Sequence, residues 1–311
     1  MIIPGGSGHV GASVRRRFEA LGWTVAALSR SPQKGDIAWD GRTLGAWTEA
    51  FEGADVVLNL AGRSVNCRYT QANLDEMMRS RVDSTRIVGE AIRACVNPPK
   101  LWLQASTATI YAHRFDAPND EAAGILGGDE PDAPPKWNAS IAIAKAWEKE
   151  FDEADTPRTR KIALRSAMTM SPDAGSIFET LARLARLGLA GKFGDGRQYV
   201  SWIHELDFNR ALEFLIEREA FAGAVNLTSP TPLPSAEFNR ILRESVGTKF
   251  GLPATKWMLE IGALIQQTET ELILKSRRVV PGRLLDAGFE FKFPTWPEAA
   301  DDLVKRLNEM T

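Results

Sequence analysis

At 311 residues the chain can bury a large core, and its length suits one doubly wound domain with an attached lobe better than two independent domains. Hydrophobic residues make up 44% and charged residues 25%, and 38 Lys+Arg against 40 Asp+Glu leave a formal charge of −2. That balance argues against long disorder and gives no electrostatic footprint for nucleic acid or an anionic membrane surface.

The predicted elements begin at once. Ile2-Ile3 reads as a short strand that runs into a glycine loop. Val10, Val14, Phe18 and Leu21 then recur at helical spacing, with Arg15, Arg16, Arg17 and Glu19 on the polar face. Gly22 ends this helix, and residues 23–28 read as the second strand. A third strand is expected over 55–60, followed by a long helix over about 70–95. The stripe of that helix is Leu74, Met77, Met78, Val82, Thr85, Val88, Ile92 and Cys95. Residues 101–105 and 161–165 supply a fourth and a fifth strand. Between them, 119–136 is rich in Asp, Glu, Gly and Pro and reads as a long loop. From about Met170 the pattern turns mostly helical, interrupted by extended segments at 198–203 and 224–228. Strand and helix in this alternation predict an α/β fold, a parallel sheet covered on both faces, with a smaller, mainly helical C-terminal lobe. No apolar run approaches the ~20 residues that span a bilayer. The first strand leaves no room for a signal peptide, so a cytoplasmic location is expected. Cys67 and Cys95 lie far apart and the chain has three histidines, so neither a disulfide framework nor a Cys/His metal site is expected.

The loop Gly5-Gly6-Ser7-Gly8-His9-Val10-Gly11 carries glycine at 5, 8 and 11. Glycine permits tight backbone angles and lets the chain approach a diphosphate without an intervening Cβ. The following helix points its unpaired N–H groups and positive dipole end at the anion. Strand, glycine loop and amphipathic helix together predict a dinucleotide site. At the end of the second strand an NAD site wants an acid for the ribose 2′-OH, but this chain has Ser29-Arg30. A guanidinium and a hydroxyl suit a 2′-phosphate, so NADP(H) is the expected cofactor. The same Arg counts against an S-adenosylmethionine methyltransferase. Asn59-Leu60-Ala61-Gly62 ends the third strand with small residues that let a cofactor lie against the sheet.

Seven stretches carry a resemblance running nearly end to end: PGGSGHVG, LNLAG, SRVDSTR, ASTATIYA, ALRSAMTMSPDAG, RLGLAGKFGDGRQYVSWIHELD and RRVVPGRLLDAGFEFKFPTWPEA. The chain resembles the extended short-chain dehydrogenase/reductase superfamily, and within it the atypical epimerase family with a C-terminal domain of unknown function. The resemblance implies a Rossmann-type nucleotide-binding domain over 1–169, with 204–228 returning to it. It also implies a substrate lobe over 170–311, with the family-specific domain at about 250–300. Glu76, Arg81, Ala105, Ser106 and the stretch Arg165 to Thr169, including Met168, are then expected near the cofactor. The helix from Thr70 and the one around Trp147 resemble the pair through which extended members dimerise.

The superfamily's chemistry resembles a Ser/Thr-Tyr-Lys arrangement, in which Tyr and Lys share a helix face at i and i+4. Thr107 falls where the hydroxyl partner belongs. Lys145 falls at the lysine, but Ile141 stands at the tyrosine, and the chain has no Tyr between Tyr111 and Tyr199. Lys145 reads either as a ribose ligand or as a solvated helix lysine. Among replacement acids, Tyr111 reads rather as a packed aromatic and His204 as an anchor of the lobe connection. Arg68, Glu121 and Arg197 are loop residues within possible reach of a substrate. Two functions therefore stand side by side. One is an NADP(H)-dependent oxidoreductase or epimerase on an unknown carbonyl or hydroxyl substrate. The other is a non-catalytic NADP(H)-binding or redox-sensing protein acting through a partner.

Overall fold

The computed structural model describes residues 1–130, 133–255 and 269–310. Seven strands form one parallel sheet: β1 (Ile2–Pro4), β2 (Ala26–Ser29), β3 (Ile37–Ala38), β4 (Val56–Asn59), β5 (Leu101–Thr107), β6 (Arg160–Ser166) and, from much later in the chain, β10 (Gly223–Leu227). Their order is β10-β6-β5-β4-β1-β2-β3. β4 is buried along its whole length, as expected of a central parallel strand covered on both faces. Helices α1 (His9–Ala20) and α5 (Glu205–Glu217) cover one face, packing Val14, Phe18, Phe208 and Leu212 onto Ile3, Leu58 and Leu103. The other face is covered by α2 (Gln71–Ala94) and α3 (Asn138–Glu153), through Ile87, Val88, Ile92 and Phe151 against Val57 and Trp102.

The second strand starts at Ala26 and not at the expected Trp23. Gly22 takes φ +85°, the Trp23 amide donates to the Phe18 carbonyl at 2.9 Å, and the Trp23 ring meets Phe18 edge-on. Trp23 therefore closes the helix C-terminus. Two elements between β2 and β4 escaped prediction, the two-residue β3 and a 3₁₀ turn at Ala46–Phe51. Both are too short to show a period, and a Trp39–Trp47–Phe51 aromatic chain holds the segment.

After β6 the chain enters β7 (Met168–Met170), α4 (Ile177–Arg186), β8 (Tyr199–Val200) and β9 (Trp202–His204). Following β10 come β11 (Leu233–Pro234), α6 (Ser235–Ser245), α7 (Glu271–Leu274), α8 (Gly282–Asp286) and α9 (Trp296–Glu309). α4, α6 and α9 share a core in which Trp296 stacks on Phe238 at 4.1 Å and meets Trp202 at 4.9 Å. From α7 the chain passes back beside the early loops. Asn119 and Val279 form a bridge, with the Asn119 amide donating to the Arg278 carbonyl at 2.7 Å. The loop expected over 119–136 is thus anchored at its start. Further on, the Glu130 carboxylate accepts the His113 and Gly128 amides at 2.7 and 2.6 Å. Residues 131–132 of this loop lie outside the described residues. Among the described residues no helix is long and apolar enough to cross a membrane.

Candidate functional site

The glycines of the first loop serve two different physical ends. A Cβ on Gly5, which sits at φ +77°, would lie 2.7 Å from the Ala61 nitrogen. One on Gly6 would lie 2.7 Å from the Ala27 Cβ, and one on Gly11 would lie 2.6 Å from the Gly6 oxygen. These three close the loop against the sheet and the helix. Gly8 is different: a Cβ there would meet only the Gly5 oxygen, at 3.6 Å, and its φ of −77° suits any residue. Gly8 is also the N-cap of α1, whose first turn has neither a side-chain cap nor an acid. A bare helix N-terminus facing open space is an anion site in waiting.

Two cavities, of about 460 and 440 Å³, open along the carboxyl ends of the strands and meet at Leu60. The first is walled by Gly5, Ser7, Gly8, Ser29, Arg30, Ala61, Gly62 and Glu76, and also by Arg42. The Ser29 hydroxyl donates to the Ser7 hydroxyl at 3.1 Å and accepts the Ser31 amide. Arg30 is exposed at the rim and, among the described residues, makes no ion pair. Glu76 is held by Arg42 at 3.2 Å and Arg79 at 3.0 Å, so its charge is offset before any ligand arrives.

The second cavity takes His9 and Val10 from α1, Ala105, Ser106 and Thr107 from the end of β5, and Thr169 from β7. Met168, expected beside it, turns instead toward the core of the C-terminal lobe. Arg81 lines the cavity, lies 5.0 Å over the Trp147 ring and donates to the carbonyls of Met77 and Arg63. Burial draws its pKa down to about 10. Arg165 does not reach the cavity. It makes a bidentate pair with Glu148 at 2.9 and 2.7 Å and donates to the Tyr111 hydroxyl at 2.9 Å. Tyr111 in turn donates to Asn226 and is fully enclosed, the packed aromatic the sequence suggested.

The expected register of α3 needs correction. The residues that α3 presents to the cavity are Ser140, Ile143, Ala144 and Trp147. Ile141 is buried on the flank toward Gly127, and Lys145 is exposed beside Gly128. At 100° per residue the pair 141/145 is rotated off the wall, and the pair 140/144 takes its place. The loop candidates also stay outside the two cavities. Glu121 accepts the amides of Asn226 and Arg283, Arg197 lies over Phe115, and Arg68 pairs with Glu269 at 3.1 Å. His204 is wholly buried and stacked on Phe293. Its Nδ1 accepts the Leu206 amide and so caps α5.

The pattern of the NAD dependent epimerase/dehydratase family matches residues 1–227. The chain belongs to that family. A domain of unknown function, DUF1731, matches residues 254–303. The chain is similar to the human epimerase family protein SDR39U1, at 27% identity with 98% of this chain and 99% of the relative covered. It is also similar to the epimerase family protein SERP0438 of Staphylococcus epidermidis, at 29% identity with 98% of each chain covered. Among solved structures, human SDR39U1 (isoform 2) with NADPH shares the fold at a TM-score of 0.83 and 24% identity, covering 98% of each chain.

In this family member one wall of the second cavity comes from the C-terminal match. α7 contributes Leu272, and Tyr69, on the loop before α2, stands in the same cavity. Sequence reasoning passed over Tyr69, because it belongs to no spaced motif. Its one signal was scarcity, since the chain has three tyrosines.

Proposed function

We propose that the protein is an NADP(H)-dependent oxidoreductase or epimerase acting on a carbonyl or hydroxyl substrate. The observation that carries this reading is the crevice itself, which runs from Ser29 and Arg30 past Gly8 and Leu60 to Thr107 and Thr169. The chain's residues fit a phosphorylated dinucleotide along that length. Gly8 and the bare end of α1 would receive the diphosphate, and Ser29 and Arg30 the 2′-phosphate. Ala61, Gly62, Ala105 and Ser106 would flank the nucleoside halves. The NADPH bound in the human relative's structure supports the choice of cofactor. Bound in this crevice, the cofactor would supply or take up hydride, and Thr107, which lines the second cavity, would offer its hydroxyl to the substrate's oxygen. In this reading residues 1–169, with 204–228, form the nucleotide-binding domain, and 170–311 form the substrate lobe. α2 and α3, joined through the Trp147 indole donating to Thr85 at 3.0 Å, form the surface for a homodimer.

One observation favours a second reading, an NADP(H)-binding protein without hydride chemistry. On its crevice face α3 presents Ser140 and Ala144, which offer neither a phenol nor an ammonium group. Incubating purified protein with NADPH and a panel of aldehydes, ketones and sugar nucleotides separates the two by loss of absorbance at the dihydronicotinamide band. Turnover that falls with Thr107→Ala supports the enzyme. Tight NADPH binding without turnover across the panel supports the binding protein.

A further inference from the structure

Four separate stretches of chain bring polar side chains to the substrate end of the crevice. Tyr69 comes from the loop before α2, Thr109 follows β5, and Ser140 opens α3. The fourth stretch is the C-terminal segment, which supplies Glu271, Lys275 and Arg277. Tyr69, Thr109 and Ser140 line the cavity, and Glu271 is wholly buried behind them. The Ser140 hydroxyl donates to Glu271 Oε1 at 2.6 Å, while Lys275 and Arg277 stand 3.9 and 3.8 Å from the same oxygen. Among the described residues Glu271 Oε2 has no hydrogen-bond partner. The two cations are themselves fixed on Thr109: Lys275 donates to its carbonyl at 2.8 Å and Arg277 to its hydroxyl at 3.0 Å. Such a cluster is costly to bury unless its geometry is used, and the Glu271 carboxylate lies close enough to the Tyr69 phenol to act on it.

We propose that Tyr69 is the proton donor to the substrate's carbonyl oxygen, and that Glu271 is its positioning residue. This rests on the hydride-transfer reading of the crevice. In the reducing direction the carbonyl carbon gains a hydride from the reduced nicotinamide, and the C=O π pair moves onto oxygen. That oxygen takes the Tyr69 proton, giving the alcohol. The cofactor leaves oxidised, and the phenolate regains its proton from solvent. The groups facing Tyr69 are Glu271, Arg277, Cys67 and Arg81. Burial first, and then the Glu271 carboxylate, push the phenol well above its ordinary value, against the pull of Arg277, so the donor form is held at every physiological pH. Val65, Ile143 and Leu272 line the same cavity and favour a substrate with an apolar flank beside its carbonyl.

Protein labelled with ¹³Cζ-tyrosine gives three resonances, and Tyr69→Phe assigns one of them. The Tyr69 resonance is expected to move when NADP⁺ is added and to stay at the phenol position through pH 10. A resonance unmoved by saturating NADP⁺ overturns the placement. In Glu271→Gln, which can still accept from Ser140, the Tyr69 titration moves to lower pH; an unchanged profile removes Glu271 from the proposal. With a panel substrate, Tyr69→Phe should lose about 100-fold or more in kcat while NADPH affinity stays within about twofold. A variant as active as the parent overturns Tyr69 alone. A parent protein that binds NADP⁺ and reduces nothing overturns the hydride-transfer reading, and the proton transfer with it.

Discussion

At the scale of single residues the glycine loop separates fold from ligand. Gly11→Ala forces a Cβ to 2.6 Å from the Gly6 oxygen, so it should lower the urea midpoint by the equivalent of about 1–3 kcal/mol. Gly8→Ala meets nothing closer than 3.6 Å and should leave that midpoint nearly unchanged. It should nevertheless weaken NADPH binding about tenfold or more, because the methyl group occupies the space left for the diphosphate. Equal stability losses in the two variants would refute this division of roles. Arg30 is tested by cofactor choice. Arg30→Ala should weaken NADPH at least about tenfold, the worth of one charge-assisted pair, and NADH by less than about twofold, as read by fluorescence titration. These positions were legible in the sequence because each function needs a residue type at a fixed offset from a strand end. Tyr69 was not legible, since nothing in its neighbours in sequence marks the wall it joins.

At the scale of elements the lesson lies in α3. Its sequence offers two adjacent i, i+4 pairs, 140/144 and 141/145, one helical step apart. Apolar content cannot choose between them, because Ile141 and Ile143 are both buried and only the packing of α3 shows which one faces the crevice. A second element-scale feature is the capping of α5. Because His204 Nδ1 accepts the Leu206 amide, its Nε2 must carry the proton and donate to Asp302 at 3.1 Å, which makes the ring neutral. Burial lowers the His204 pKa below 6.5, against the pull of Asp302. The unfolded chain then binds more protons than the folded one between that lowered value and 6.5, so stability falls as pH drops through this window. Urea midpoints measured between pH 7 and 5 should decline in the parent and decline less in His204→Asn. Parallel slopes would remove His204 as the source.

At the scale of the whole molecule, a core of aromatic contacts holds the C-terminal lobe together. Trp296 lies between Trp202 of β9 and Phe238 of α6, with its indole N–H donating to the Phe238 carbonyl at 3.0 Å. Trp296→Ala should cost about 3–5 kcal/mol in denaturant unfolding and reduce NADPH binding little, since none of the described residues that wall the first cavity belongs to this cluster. By itself the sequence determined the parallel α/β sheet, the glycine loop and the Ser29-Arg30 strand end, all of which depend on local period and short offsets. Only the tertiary structure decided which face of α3 meets the crevice. It alone decided that Ser140 meets Glu271, 131 positions away, and that Tyr69 stands beside them. The physical reason is that a binding loop is written along one stretch of backbone, whereas a buried charge cluster exists only once distant segments have packed and excluded water.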